Sequence, residues 1–232
     1  MGIKMKAFRA AFPHTIPVLT GYAFLGAAYG ILMQVNGFGL GWAVLMSVIT
    51  YSGSMQYLAV TLLTSAFNPL YALVLTLMVN ARHLFYGVSM LERLRGTGAI
   101  KPYLIGAMTD ETFSILCSVQ PPRGVDRRWF MFFVTLLDHS SWILASAVGS
   151  IVGTLVTFDT RGLDFVLTAL FVVIFLNQWK TDKKYAPALI GLGCSIFCLV
   201  LFGPDNMIIT SMLCIFLVLA IFRSRLEKGV EQ

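Results

Sequence analysis

The chain has 232 residues, of which 57% are hydrophobic and only 12% charged. A soluble domain carries about 25% charged residues, so this composition excludes disorder, a fibrous repeat and an ordinary cytosolic enzyme. Seventeen Lys and Arg against eleven Asp and Glu give +6, and without basic–aromatic interleaving the excess reads as loop charge that sets membrane topology.

The expected fold is all-α: a polytopic integral membrane protein of seven or eight transmembrane helices, with residues 1–232 forming one transporter domain. A bilayer core of about 30 Å needs about 20 apolar residues per span. The first apolar segment runs from Thr15 to Gln34. Lys4, Lys6 and Arg9 precede it, and with no small-x-small cleavage site it reads as a retained helix. Pro13-His14 makes the opening turn and Pro17 sits in the first helical turn. The second segment, Leu40 to Leu63, is interrupted at Gly53 by flanking serines. The third runs from Asn68 to Leu91. The fourth, Pro102 to Val119, is short and carries acids. The fifth runs from Trp129 to Val156, the sixth from Leu163 to Trp179, the seventh from Tyr185 to Phe202 and the eighth from Asn206 to Phe222.

Eight spans put the N-terminus, Arg123/Arg127/Arg128, Lys180/Lys183/Lys184 and the Arg223/Arg225/Lys228 tail on one side. Arg93, Arg95 and Lys101 would then face the other side, unless segment two or four is re-entrant. Cys117, Cys194, Cys198 and Cys214 lie in apolar stretches and read as small buried hydrophobes. An internal repeat relates Gly26-x3-Gly30 and Gly39-Leu40 to Gly149-x3-Gly153 and Gly162-Leu163 at an offset of 123 residues. Gln56 and Gln178 follow at 122. It divides the chain into halves of 12–120 and 129–225. GxxxG pairs let helices approach closely, and transporters are often built from two related halves.

Ionisable residues within the apolar segments are few, and each costs roughly 2.5–3.5 kcal/mol to insert. Arg82 either grips a substrate carboxylate or clamps an acid on a neighbouring helix. Asn80 and His83 share one face of segment three, and His83 either shuttles protons or packs. Asp110 and Glu111 point about 100° apart on a helix, so one can pair with Arg82 while the other faces a cavity. A carboxyl held out of water can exchange a proton near neutral pH. Asp138 and His139 form either a second proton-binding cluster or a helix–helix clasp. Ser52, Gly53, Ser54 and Gln56 mark a helix break, whose free backbone groups can hold an amino acid's carboxylate or ammonium. No HExxH, GxSxG or P-loop is present, so neither an enzyme nor a metal or cofactor site is expected.

Gly53-Ser54-Met55-Gln56, Asn80-Ala81-Arg82-His83 and Thr109-Asp110-Glu111 occur in the order and spacing of the AzlC family, which the chain resembles from Phe12 onwards. The resemblance implies an exporter of branched-chain amino acids (valine, leucine and isoleucine, with methionine a further candidate) in the bacterial inner membrane. It also implies coupling to the proton gradient and a small AzlD-type membrane partner. On the physical reading of the segments, and not from the resemblance, Ser52, Gly53, Ser54, Gln56, Asn80 and Arg82 are the expected substrate-binding residues. His83, Asp110, Glu111, Asp138 and His139 are the expected proton-coupling residues. The alternatives are a permease or channel for another small solute, and a non-transporting scaffold subunit whose buried charges are clasps.

Overall fold

The computed structural model describes residues 2–155, 172, 176 and 186–228. Apart from Val172 and Leu176, the sixth apolar segment lies outside the described residues. So do Gly162-Leu163, Gln178 and the Lys180/Lys183/Lys184 cluster. The chain forms two compact units, Met1–Leu167 and Thr168–Gln232.

Unit one contains α1 (Ile3–Val35), α2 (Gly39–Ile49), α3 (Gly53–Thr64), α4 (Pro69–Met90), a 3-10 turn at Gly98–Ile100, α5 (Lys101–Gly106), α6 (Asp110–Ser118) and α7 (Arg127–Leu155). Among its described residues, α1, α4 and α7 are long and apolar enough to cross a membrane. Helix α1 starts at Ile3, not near Thr15, and holds Pro13 and Pro17 in its interior rather than at its opening turn. The good helix formers Lys4, Met5, Lys6, Ala7, Arg9, Ala10 and Ala11 extend the helix backwards. The prolines are four apart, so their lost hydrogen bonds fall on one face.

Helices α1 and α7 run side by side in the same direction. Lys4 Nζ lies 4.4 Å over the Trp129 ring at their starts. Phe8 and Phe133 meet at 5.4 Å, Tyr22 and Trp142 at 5.1 Å. Near their ends Ser150 Oγ donates to Gln34 Oε1 at 3.2 Å. Both GxxxG pairs line this crossing. A Cβ on Gly26 would stand 2.7 Å from Ala145 Cβ, one on Gly30 would strike the Ser146 carbonyl, and one on Gly149 would strike the Ala27 backbone. Backbones this close are possible only where the side chain is a hydrogen.

Segments two and four are not single spans. Helix α2 starts beside the end of α1 and runs inward until Ser47 O lies 3.3 Å from His139 Nε2. Helix α3 leaves that depth again, with Tyr57 OH donating to Leu25 O at 2.7 Å, and a short link joins it to the start of α4. Asn68 caps α4, accepting from the N–H groups of Leu70 (3.0 Å) and Tyr71 (3.1 Å). Helix α4 then runs back to the end where α1 and α7 begin, and Met90 packs there with Ala11, Leu104, Leu116 and Phe130. Helix α5 enters from that end. Helix α6 returns to it, and Arg93 Nη1 donates to Leu116 O. Two hairpins of half-length helices therefore enter from opposite ends and meet at mid-depth. Eight crossings would count both hairpins as spans; each instead turns back where a new helix starts halfway, at Gly53 and at Asp110, the re-entrant alternative that the sequence leaves open for segments two and four.

This topology corrects the expected charge conflict. Arg127 Nη2 donates to Arg93 O at 2.6 Å, so Arg93, Arg95, Arg127, Arg128 and Lys4 share one end. Outward positions of α4 are apolar: Leu84 is 73% exposed, Phe85 67% and Val88 68%. Such a contiguous face is untenable in water and suits lipid.

In unit two, segments seven and eight are the arms of α8 (Ala186–Lys228), which bends at Gly203 with φ 73° and ψ 172°. This backbone region is essentially reserved for glycine. Cys117, Cys194, Cys198 and Cys214 are free thiols.

Candidate functional site

The two hairpin reversals meet between α1, α4 and α7. In the first, Tyr51 takes φ 36°, a left-handed conformation uncommon for a residue with a Cβ. Its ring is held 4.2 Å from that of His139. Ser52 precedes α3 but does not cap it; its hydroxyl donates instead to Asn80 Oδ1 at 2.9 Å. The first N–H groups of α3 have no partner within the helix, so α3 presents an uncapped, partially positive start. In the second reversal Thr109 caps α6 by accepting from Thr112 N. Asp110 and Glu111 occupy the first turn, where the helix dipole favours carboxylates. Tyr22 OH lies 2.8 Å from Thr109 Oγ1. Each reversal is thus tied to the long helix that precedes the other one.

Arg82 joins the two hairpins. Its Nη1 donates to Asp110 Oδ2 at 2.5 Å and its Nη2 to Ser54 Oγ at 2.7 Å. The pair is about one-third exposed (33% and 31%), so it lines accessible space. Glu111, the next residue, points away from it and accepts from Tyr22 OH at 2.8 Å, as successive helical positions 100° apart require. Thr109 Oγ1 continues to Thr112 Oγ1 at 3.2 Å, and Thr112 Oγ1 donates to Asp138 Oδ2 at 2.8 Å. A continuous chain of hydroxyls therefore links Glu111 to Asp138. Asp138 is fully buried, and its Oδ1 has no hydrogen-bond partner.

Gln56 is fully buried, with both ends of its amide engaged. Its Nε2 donates to Ser47 Oγ at 3.2 Å and its Oε1 accepts from Trp142 Nε1 at 2.9 Å. The Trp142 ring closes over Gly53, where a Cβ would lie 3.1 Å from Cη2. Trp142→Phe leaves the Gln56 oxygen unpaired and is expected to cost about 1–3 kcal/mol. Adding Gln56→Leu is expected to restore most of it. Thermal unfolding of the single and double variants in detergent measures both, and an unchanged single variant refutes the clasp.

The structure brings together Ser52, Gly53, Ser54, Gln56, Asn80, Arg82, Asp110, Glu111, Asp138 and His139. His139 sits between Tyr103 OH (3.2 Å to Nδ1) and Ser47 O. His83 stays apart, with Nδ1 3.3 Å from Asn80 O of its own helix and its ring at the edge of Tyr86. Sequence reasoning missed Tyr22 and Tyr51 as members. A tyrosine in an apolar helix carries no distinguishing signal until its hydroxyl finds a partner. Among the described residues no group of His, Cys, Asp and Glu can hold a metal.

The AzlC protein family matches residues 17–156, which span α1, both hairpins, α4 and α7. The branched-chain amino acid transport protein AzlC of Bacillus subtilis is 54% identical over 96% of this chain and 88% of its own length. A Helicobacter pylori membrane protein is 40% identical over 96% of this chain and 98% of its own. The inner membrane protein YgaZ of Escherichia coli is 26% identical over 79% of each. No solved structure matches. With more than half of the chain inside the family match and one relative 54% identical across nearly all of it, this helical membrane protein belongs to the AzlC family.

Proposed function

We propose that the protein is the large subunit of a secondary transporter that exports valine, leucine and isoleucine, with methionine a further substrate to test. Export runs across the bacterial inner membrane by proton antiport, with a small AzlD-type membrane partner. The observation that carries this reading is the meeting of two oppositely inserted hairpins around Arg82, Asp110, Glu111 and Asp138. Broken helices that meet at mid-depth are a recurrent way for transporters to build a substrate site. The uncapped start of α3, beside Arg82, suits a substrate carboxylate. The transport role draws on the name of the Bacillus subtilis relative, and the whole chain acts as one transport domain.

The proton path follows from the pairing. Asp110 is neutralised by Arg82, whereas among the described residues Glu111 accepts from Tyr22 OH and Asp138 from Thr112, with no ion pair to either. The hydroxyls of Tyr22, Thr109 and Thr112 join them. Efflux of labelled amino acids from dipeptide-loaded cells, with this chain alone and with its partner, tests export. Collapsing the pH gradient with an ionophore is expected to slow efflux at least about tenfold, as is Glu111→Gln or Asp138→Asn. Tyr22→Phe, which removes the connecting hydroxyl, is expected to act in the same direction. Efflux indifferent to the gradient and to all three substitutions refutes proton coupling. Accumulation in place of efflux refutes the direction.

A second reading has an observation in its favour. The 2.5 Å Arg82–Asp110 contact is also what a static clasp in a scaffold subunit would show.

A further inference from the structure

At the end where α1 and α7 begin lies a cavity of about 150 Å³ lined by Arg93, Arg95, Arg127, Arg128, Thr97 and Asp126. Its lining holds four arginines and one aspartate. None of them forms an ion pair, since Arg82–Asp110 is the ion pair found among the described residues. Two are held in place by backbone carbonyls: Arg93 by Leu116 O and Arg127 by Arg93 O. That leaves further N–H donors on each fork for a ligand. Arg128 has a buried Nε without a partner, and its guanidinium carbon lies 5.6 Å from the Trp129 ring centroid. Lys4 covers the same ring at 4.4 Å. Asp126 is occupied as the acceptor for Trp129 N at 3.0 Å.

Loop arginines that only set topology need no convergence and no cavity. Here they converge at the level where a tryptophan flanked by cations marks the membrane interface. Arginine forks match phosphate oxygens in pairs, and basic pockets between helices at this level recognise lipid headgroups. We propose that this pocket binds the phosphate group of an anionic lipid. Because Arg93 also holds the end of α6, the bound headgroup fixes the root of the hairpin that carries Asp110 and Glu111.

The test is native mass spectrometry of the full chain, purified from vesicles of phosphatidylcholine doped with phosphatidylglycerol or cardiolipin. Wild-type protein is expected to retain anionic lipid. Arg95→Gln/Arg127→Gln/Arg128→Gln is expected to weaken retention on the order of 100-fold, from about 1 kcal/mol per basic residue near the surface. Arg95→Glu alone, at an exposed position with little to misfold, is expected to weaken it at least about fivefold. Lys6→Gln removes a charge at the same end but outside the pocket, and is expected to leave retention unchanged. Inorganic phosphate is titrated in pure phosphatidylcholine. Saturable phosphate binding by wild type and not by the triple variant, without lipid retention, would assign the pocket to free phosphate and overturn the lipid. Equal retention by wild type and the triple variant, or equal loss in Lys6→Gln and Arg95→Glu, would leave only bulk electrostatics and overturn the site.

Discussion

Arg82→Ala is expected to abolish export, with efflux falling at least about 100-fold, while the protein still inserts and purifies as a monodisperse species. Removing the guanidinium strands the Asp110 carboxylate and frees Ser54. Breaking a fully buried pair costs about 3–5 kcal/mol. This pair is about one-third exposed, so water screens part of the loss and the fold survives. Two explanations of lost transport then separate. If Arg82 only clasps α4 to α6, the neutral pair Arg82→Met/Asp110→Leu rebuilds the contact and restores efflux. If Arg82 grips the substrate carboxylate, the neutral pair restores thermal stability and leaves efflux dead. The pair of measurements is efflux from dipeptide-loaded cells and thermal unfolding of the same variants. Full efflux in Arg82→Ala would falsify any direct role for the guanidinium. Full efflux in the neutral pair would establish the clasp and remove the guanidinium from substrate binding.

The sequence carried the chemistry of the site better than its topology. Arg82, Asp110, Glu111 and Asp138 stand out because charge is rare in the apolar segments, and rarity can be seen without a fold. The break at Gly53 was legible for a similar reason, since serines flank a glycine inside an apolar run. The second break has a mark too, although the sequence leaves re-entrance of segment four only as an alternative. Thr109 followed by Asp110 and Glu111 is a helix N-terminal signature, but with Arg82 in the preceding segment the acids read as charges rather than as part of a helix start. Without that helix start, the sequence leaves segment four open between a span and a re-entrant hairpin, and with it the side of Arg93 and Arg95. The start of α1 was obscured by Pro13 and Pro17, whose preference for first turns is outweighed by the helix-forming stretch before them. Tyr22 and Tyr51 could not be read at all. Their place depends on where two reversals distant in sequence come together, and no local pattern encodes that meeting.

The glycine repeat makes the second large prediction. Gly149→Val is expected to destabilise the protein by about 3 kcal/mol or more, at the upper end of what overpacking costs, and to eliminate transport. A Cβ at this position meets the backbone of Ala27, which cannot rotate away as a side chain would. Relief requires α1 and α7 to separate. The network spans that crossing, with Tyr22 on α1 and Asp138 and Trp142 on α7, so separation dismantles the site as well as the packing. The graded series isolates the cause. Gly149→Ala adds only the offending methyl, and because alanine is about 1 kcal/mol better than glycine in a helix, any net loss is a contact effect. Gly153→Ala places its Cβ 2.9 Å from Gln34 Cβ and 3.3 Å from Ile31 Cα, a smaller overlap than the one with the Ala27 backbone at Gly149, and is expected to cost less. Gly41→Ala, with nothing within 4 Å, is expected to be neutral or slightly stabilising. Thermal unfolding in detergent should therefore rank the variants with Gly149→Val lowest, then Gly149→Ala, Gly153→Ala and Gly41→Ala. Gly149→Ala as stable as Gly41→Ala would mean that the close approach of α1 and α7 is not what holds the two hairpin reversals together.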